Sequence, residues 1–323
     1  MNRRILVVAL NPALDLTYEL PTVDWAGVNR PVTVSSRPGG KGINVARTLH
    51  ALGADVLVMG LAGELTGHAV QSALAGAGVP AAFTEIGGET RRTLAVTDRD
   101  RGQTALFNEP GPRVSAAEYA AFRARYQAGL AAATAVVLTG SLPPGLPAGS
   151  YAELTGIAAA AGVPTVLDAE GEPLLRGLAA GPAVVKPNLA ELSGAVGRRL
   201  TGTGDAGRAA VAAAAAELRQ AGAQAVVVSL GASGLLAVTS DGVWQAAHPA
   251  HPGAVAANPT GAGDAVVAGL THRLVLGRPW AERLRHAVAL GSAAAAAPVA
   301  GEFRRADYEQ ALDQVTIAGP GAA

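Results

Sequence analysis

Apolar, β-branched runs at residues 5–10, 56–61, 135–139, 165–168, 183–186, 225–229 and 235–238 are separated by stretches whose hydrophobic period is helical. That rhythm constrains the chain more than any single motif. Most of the runs lack the alternation of a half-exposed strand and read as strands buried on both faces. The helical stretches are 43–52, 66–77, 116–133, 151–161 and 205–220, and Gly78, Gly162 and Gly222 follow three of them as C-terminal stops. Strands alternating with helices predict βαβ units and a mostly parallel sheet covered on both faces. Half of the 323 residues are hydrophobic but only 4% are aromatic, so the core is expected to be built from small and β-branched aliphatics.

Two stretches break the rhythm. Residues 13–36 and 90–108 carry short alternating strands, 16–20 with 32–35 and 93–97 with 103–107, and 98–102 reads as a hairpin turn between the last two. Alternation suits half-exposed antiparallel strands. The expectation is a small β-sheet lid, formed by about 12–36 and 88–109, over one end of the main sheet. No linker divides the chain, so 1–323 reads as one domain, with a frayed tail over 318–323.

Composition excludes several functions. The formal net charge is +0, which argues against nucleic acid or an anionic membrane as partner. The absence of cysteine removes disulfides, thiolate nucleophiles and cysteine metal sites. The six histidines lack metal-ligand spacing; His248 and His251 are three apart, in a Pro-rich segment with no acidic partner. No G-x-S-x-G elbow is present, and no G-x-G-x-x-G follows the first strand, which disfavours a serine hydrolase and a Rossmann dehydrogenase. The apolar run 5–10 is too short for a signal-peptide core or a bilayer span, so a soluble, cytoplasmic protein is expected. Of 25 basic side chains only Lys41 and Lys186 are lysine. Either coding bias left two by chance, or these positions require a compact ammonium.

Three glycine- or proline-marked motifs each lead into a helix. In Asn258-Pro259-Thr260-Gly261-Ala262-Gly263-Asp264, a Gly-rich turn at a helix start offers unpaired amides and the positive end of the helix dipole, which suit a phosphate or a phosphoryl group in flight. Asp264 at its mouth reads either as a base for an attacking hydroxyl or as an ordinary first-turn carboxylate. Pro38-Gly39-Gly40-Lys41-Gly42-Ile43-Asn44 is not a P-loop; its glycines let a ligand approach the backbone beside Lys41 and Asn44, or simply make a turn. Lys186-Pro187-Asn188-Leu189-Ala190-Glu191 places Asn188 and Glu191 three apart, for a metal–phosphate network, a capping box, or both. Ser141, Asp168, Lys186, Asn188, Ser229 and Gly231 follow strand ends, the edge where open α/β sheets bind ligands.

Together with Asn11-Pro12-Ala13-Leu14-Asp15, these motifs resemble the ribokinase/PfkB carbohydrate kinase family in content and order, over about residues 4–312. The Gly140-Ser141-Leu142-Pro143-Pro144-Gly145 and Asn108-Glu109-Pro110-Gly111-Pro112 segments are similar to its 1-phosphofructokinase and tagatose-6-phosphate kinase branch. The resemblance implies a three-layer α/β/α sandwich with a mostly parallel sheet and a β-sheet lid, often dimerising through that lid. It implies ATP and Mg²⁺, and phosphorylation of a phosphorylated ketohexose, with fructose 1-phosphate to fructose 1,6-bisphosphate foremost. Tagatose 6-phosphate and fructose 6-phosphate are the alternatives, and a non-catalytic nucleotide or sugar sensor is a remoter one. By motif, Asp264 stands as base and Gly261, Ala262 and Gly263 as anion hole. Asp15, Gly39, Gly40, Lys41, Asn44 and Ser141 fall where the sugar is held. Arg91 falls where its phosphate is held, with Arg30 reaching it from a partner's lid and Arg92 as the competing neighbour. Lys186, Asn188, Glu191, Ser229, Gly231, Gly234 and Gly291 fall on the nucleotide side, the last within the 289–292 segment expected to line the adenine pocket. Asp168 and Glu191 fall near Mg²⁺, reached through water. Two departures stand out: Asp168-Ala169-Glu170-Gly171 replaces D-x-S-G, and Pro259 replaces a Ser or Thr.

Overall fold

The computed structural model describes residues 4–249, 261–297, 299 and 301–320. The chain runs β1 (Arg4–Ala9), β2 (Ala13–Leu20), β3 (Thr33–Gly39), α1 (Lys41–Ala51), β4 (Val56–Ala62), α2 (Glu64–Gly76), β5 (Ala81–Glu85), β6 (Arg91–Asp98), β7 (Gln103–Asn108) and α3 (Ala116–Gly129). It continues β8 (Ala133–Thr139), α4 (Ser150–Ala160), β9 (Thr165–Asp168), α5 (Gly171–Leu178), β10 (Val184–Val185), α6 (Leu189–Ala195), α7 (Gly204–Gln220), β11 (Val226–Ser229), β12 (Leu235–Thr239) and β13 (Gly242–Ala247). The last elements are α8 (Ala262–Val275), α9 (Trp280–Ala296), α10 (Arg305–Gln314) and β14 (Thr316–Ala318).

The main sheet has ten strands in the order β14-β13-β12-β11-β10-β9-β8-β1-β4-β5. From β11 to β5 every pairing is parallel. The first strand shows why these runs do not alternate in polarity. Ile5, Val7 and Ala9 face a core shared with α1, α8 and α9, while Leu6 and Val8 face a second core shared with α3, α4 and α7. Each side chain of a central strand is covered by one helical layer or the other, so every position must be apolar. The result is the three-layer sandwich expected from the sequence. One expectation needs adjustment: the few aromatics are concentrated, with Tyr119, Phe122, Tyr126 and Tyr151 all buried in the second core.

The structure departs from the sequence reading in three further places. Residues 235–238 form β12, which pairs antiparallel with β11, and β13 and β14 continue antiparallel to the edge. A tight turn over residues 231–234, with Gly231 and Gly234 both at positive φ, reverses the chain between β11 and β12. The tail is not frayed through residue 320: Ala318 pairs with Gln245, and Gly319 packs against Trp244. The helix expected over 116–133 stops at Gly129 and ends in a 3₁₀ turn before β8.

The lid is a four-stranded sheet, β3-β2-β6-β7. The hairpin β6–β7 and the β2–β3 pair are antiparallel as expected, but β2 and β6 run parallel, with Ala13 opposite Arg91 and Asp15 opposite Thr93. The two lid segments were each legible as antiparallel pairs; how they join depends on the β4–α2–β5 unit between them. Among the described residues no helix is long and apolar enough to cross a membrane.

Candidate active site

Adjacent parallel strands end along one edge, and each end delivers a polar side chain. Asp168 closes β9 and is almost fully buried. Its Oδ2 accepts the Thr139 hydroxyl from the end of β8 at 3.2 Å. Its Oδ1 lies 3.2 Å from the Lys186 ammonium, just past β10. The second ammonium, Lys41 Nζ, is 3.8 Å from Oδ2 of the same carboxylate. The chain's two lysines thus meet at one buried aspartate, which favours a requirement for ammonium over coding bias at these positions.

Lys41 arrives on α1. Gly40, at φ 89°, turns β3 into this helix, a conformation that L side chains rarely adopt. Lys41 and Asn44 lie one turn apart and therefore share a face. Lys41 also lies 3.7 Å from Glu191 Oε1. Burial alone would lower its pKa, but Asp168, Glu191 and Asp264 together raise it, so the ammonium stays charged. Expected beside the sugar, Lys41 instead reaches across to Asp168 and Glu191.

From the same face, the Asn44 amide donates to Asp264 Oδ2 at 2.9 Å. Asp264 sits in the first turn of α8 behind Gly261, which is left-handed at φ 87° and provides no side-chain cap. Burial, then the neighbouring Asp168, push the Asp264 pKa up to about 7, against the opposing pull of Asn44, Lys41 and Lys186. A carboxyl held near neutrality can accept a proton without being permanently ionised or permanently protonated. A Cβ on Gly263 would stand 3.8 Å from Lys186 Nζ, so that ammonium lies against the helix start. Helix amides and an ammonium together favour an anion. Asn258, Pro259, Thr260 and His251 lie outside the described residues.

Asn188 and Glu191 adopt the capping-box arrangement that their spacing suggests. They form a reciprocal capping box on α6, each backbone amide donating to the other's side chain at 2.8 Å. That box engages Glu191 Oε2 and leaves Oε1 facing Lys41. Asn188 bridges to Ser229 at the end of β11. Among the described residues no three acidic or histidine side chains are grouped to hold a metal by themselves. Asp168 Oδ1, ion-paired with Lys186 but accepting no hydrogen bond, and Glu191 Oε1 instead suit an Mg²⁺ that keeps most of its waters and arrives with phosphate oxygens.

On the lid side, Asp15 projects from β2. A Cβ on Gly39 would lie 1.9 Å from Asp15 Oδ2, so only glycine fits beside this carboxylate. The Thr93 hydroxyl donates to Asp15 Oδ1 at 2.5 Å. Burial raises the Asp15 pKa, and Thr93 and Arg91 hold it down in part. Strand alternation separates the two neighbouring arginines. Arg91 shares the face of Thr93, donating to the Asn11 and Glu109 carbonyls at 3.1 and 3.2 Å, whereas Arg92 reaches Thr66 on α2. Arg91 therefore faces the site and Arg92 does not. Asn11 donates to the Ser141 hydroxyl and to the Pro110 carbonyl, both at 3.0 Å, and so links the sugar-side loops. Sequence reasoning gave no role to Asn11, Thr93 or Thr139; Asn11 lay inside a quoted motif, and Thr93 was reachable by counting two along the strand from Arg91.

The remaining expectations have plainer placements. A Cβ on Gly234 would lie 2.1 Å from the Ala246 carbonyl oxygen, so that glycine lets β12 leave its turn against β13. Gly291 is buried, and a Cβ there would lie 2.9 Å from Val266, so it allows α9 to approach the first turns of α8. Arg30 is exposed in the β2–β3 connection and makes no recorded contact with this network among the described residues.

Residues 9–304 match the pattern of the pfkB family carbohydrate kinases. The chain is 38% identical over 290 residues to the 1-phosphofructokinase of Rhodobacter capsulatus, covering 90% of this chain and 89% of that one. The crystal structure of phosphofructokinase-2 from Escherichia coli in complex with potassium superposes with a TM-score of 0.87 at 32% identity, over 97% of this chain and 99% of that one. The ribokinase of Arabidopsis thaliana, solved with ribose and ATP, shares the fold at a TM-score of 0.74 and 21% identity, over 97% of this chain and 99% of that one.

Proposed function

From the premise that the chain belongs to the pfkB family of carbohydrate kinases, we propose that it transfers the γ-phosphoryl group of ATP to a ketohexose that already carries one phosphate. Fructose 1-phosphate is the substrate assigned, and fructose 1,6-bisphosphate the product. One observation carries this reading: Asp15, whose charge Arg91 offsets, abuts Gly39 at the end of β3, and the helix that follows presents Asn44, which is bonded to Asp264. A phosphate held at Arg91 leaves the far hydroxyl of the sugar at Asp264.

In this reading the sugar hydroxyls rest on Asp15, Asn44 and Ser141. Asp264 takes the proton of the attacking hydroxyl as the new O–P bond forms, and ADP leaves with the electrons of the broken P–O bond. The amides of residues 261–263, backed by Lys186, stabilise the charge on the transferring group. Lys41, between Asp168, Glu191 and the helix start, neutralises charge on the nucleotide side. Asp168 and Glu191 would hold Mg²⁺ through water, and the ion would supply charge neutralisation to the bound phosphates.

Exposed Trp25, Val28, Val32, Val34, Leu106 and Phe107 on the lid support a homodimer formed through that sheet. Such a dimer provides a route for Arg30 to reach the partner's site.

The deciding experiment is coupled ADP release over fructose 1-phosphate, tagatose 6-phosphate, fructose 6-phosphate and unphosphorylated fructose. A kcat/KM highest for fructose 1-phosphate is expected. Turnover confined to unphosphorylated sugars would refute the role assigned to Arg91.

A further inference from the structure

The strap between the lid and α3, residues 109–114, carries a cation to which neither the motifs nor the fold assign a task. It runs along a cleft of about 650 Å³ lined by both Arg91 and Arg113. The strap is held at three points. Asn11 donates to the Pro110 carbonyl at 3.0 Å, Pro112 packs so closely on Gly88 that a Cβ there would lie 2.5 Å away, and the Val114 amide donates to the Pro144 carbonyl at 2.8 Å. Arg113 is thus presented from a pinned backbone.

The charges in this cleft are unevenly engaged. Glu118 accepts the amides of Gly87 and Ser115, Glu109 accepts the amide of Arg92, and Glu89 accepts the amide of Thr66. Arg91 uses Nε and Nη1 on backbone carbonyls, and no bond is recorded for its Nη2. Arg113 has no hydrogen bond or ion pair among the described residues. A phosphate dianion is poorly matched by the one remaining nitrogen of Arg91. Two guanidinium groups satisfy its charge and its acceptors.

We propose that Arg113 is a second phosphate-binding residue of this kinase, acting with Arg91 on the phosphate that the sugar brings with it. The assignment rests on the sugar-phosphate reading above. It makes the strap a determinant of specificity, selecting phosphorylated over free sugars.

The test is the KM of Arg113→Gln and Arg113→Lys for the phosphorylated ketohexoses of the same panel. Loss of a charged hydrogen-bonding partner predicts a KM for the sugar phosphate raised about 10- to 100-fold in Arg113→Gln, with KM for ATP unmoved. Arg113→Lys is expected to recover part of that loss, because an ammonium keeps the charge but not the planar fork. If the wild-type protein turns over sugar phosphates and Arg113→Gln shifts their KM less than twofold, the arginine is a solvated strap residue and the proposal fails while the sugar-phosphate reading stands. If the wild-type protein uses only unphosphorylated sugars, both fail together.

Discussion

Replacing Asp264 with Asn should damage catalysis and stabilise the fold, and the two effects have one cause. The carboxylate is buried and its pKa is raised from 3.8 to about 7. The native state therefore binds a proton more readily than the unfolded chain between these values. In that window stability falls as pH rises, and above pH 7 the full cost of burying the ionised group is present. At about 1.4 kcal/mol per pKa unit, the shift corresponds to roughly 4 kcal/mol at pH 8, about 2 kcal/mol at pH 5 and almost nothing below pH 4. Asn removes the charge, and its amide oxygen can still accept the hydrogen bond that Asn44 donates at 2.9 Å. Urea unfolding of both proteins, followed by the fluorescence of Trp25, Trp244 and Trp280 at pH 8, 6.5 and 5, measures the difference. Asp264→Asn should be the more stable protein, by a margin that shrinks steadily towards pH 5, while its turnover falls by at least ~10²-fold as for loss of a positioned base. Equal stability at pH 8, or a margin independent of pH, would refute the argument that burial sets the ionisation of Asp264. A stabilised but inactive variant is the expected signature of a site that holds a charge against its surroundings.

Other outcomes follow from the same network. In the wild-type protein, kcat/KM should rise with pH through about 7, because Asp264 must be ionised to accept a proton, and Lys41→Gln should move that limb to higher pH, since Lys41 is one of the charges that lower the Asp264 pKa. A pH profile in Lys41→Gln that overlays the wild type would contradict this. Gly39→Ala should raise the KM for the sugar by ~10-fold or more, a loss on the order of one charged hydrogen bond, because the new Cβ overlaps the Asp15 carboxylate; an unaltered KM would show that Asp15 does not hold the sugar. Val34→Glu with Phe107→Glu, on the exposed lid, should yield monomers in sedimentation equilibrium if the lid is the dimer surface, and a persisting dimer would place that surface elsewhere.

Much of this molecule was legible before folding was considered. The unbroken apolar runs with helices between them specify a sheet covered on both faces, because a residue such as Val7 or Leu6 must be apolar whichever way it points. The strand ends then collect Thr139, Asp168, Lys186 and Ser229 at one edge by geometry alone. Local chemistry also marked the helix starts: Gly40 and Gly261 adopt the positive φ that glycine permits, and Asn188 with Glu191 forms the capping box their spacing suggests.

Tertiary structure decided what depends on distance and burial. The resemblance implied a place for Lys41 beside the sugar, but only packing of α1 against the strand ends sets its ammonium between Asp168 and Glu191. Arg91 and Arg92 are adjacent and chemically identical; the pairing of β6 with β2 turns one to the cleft and the other to α2. The sequence alone determined that Asp264 would stand at a glycine-rich helix start, because that is a local matter of φ, amide donors and period. Its pKa near 7 was decided by the desolvation that the assembled sheet and helices impose and by the charge of Asp168, with Asn44, 220 positions away, pulling it back down, since the energy of a charge depends on what surrounds it in space.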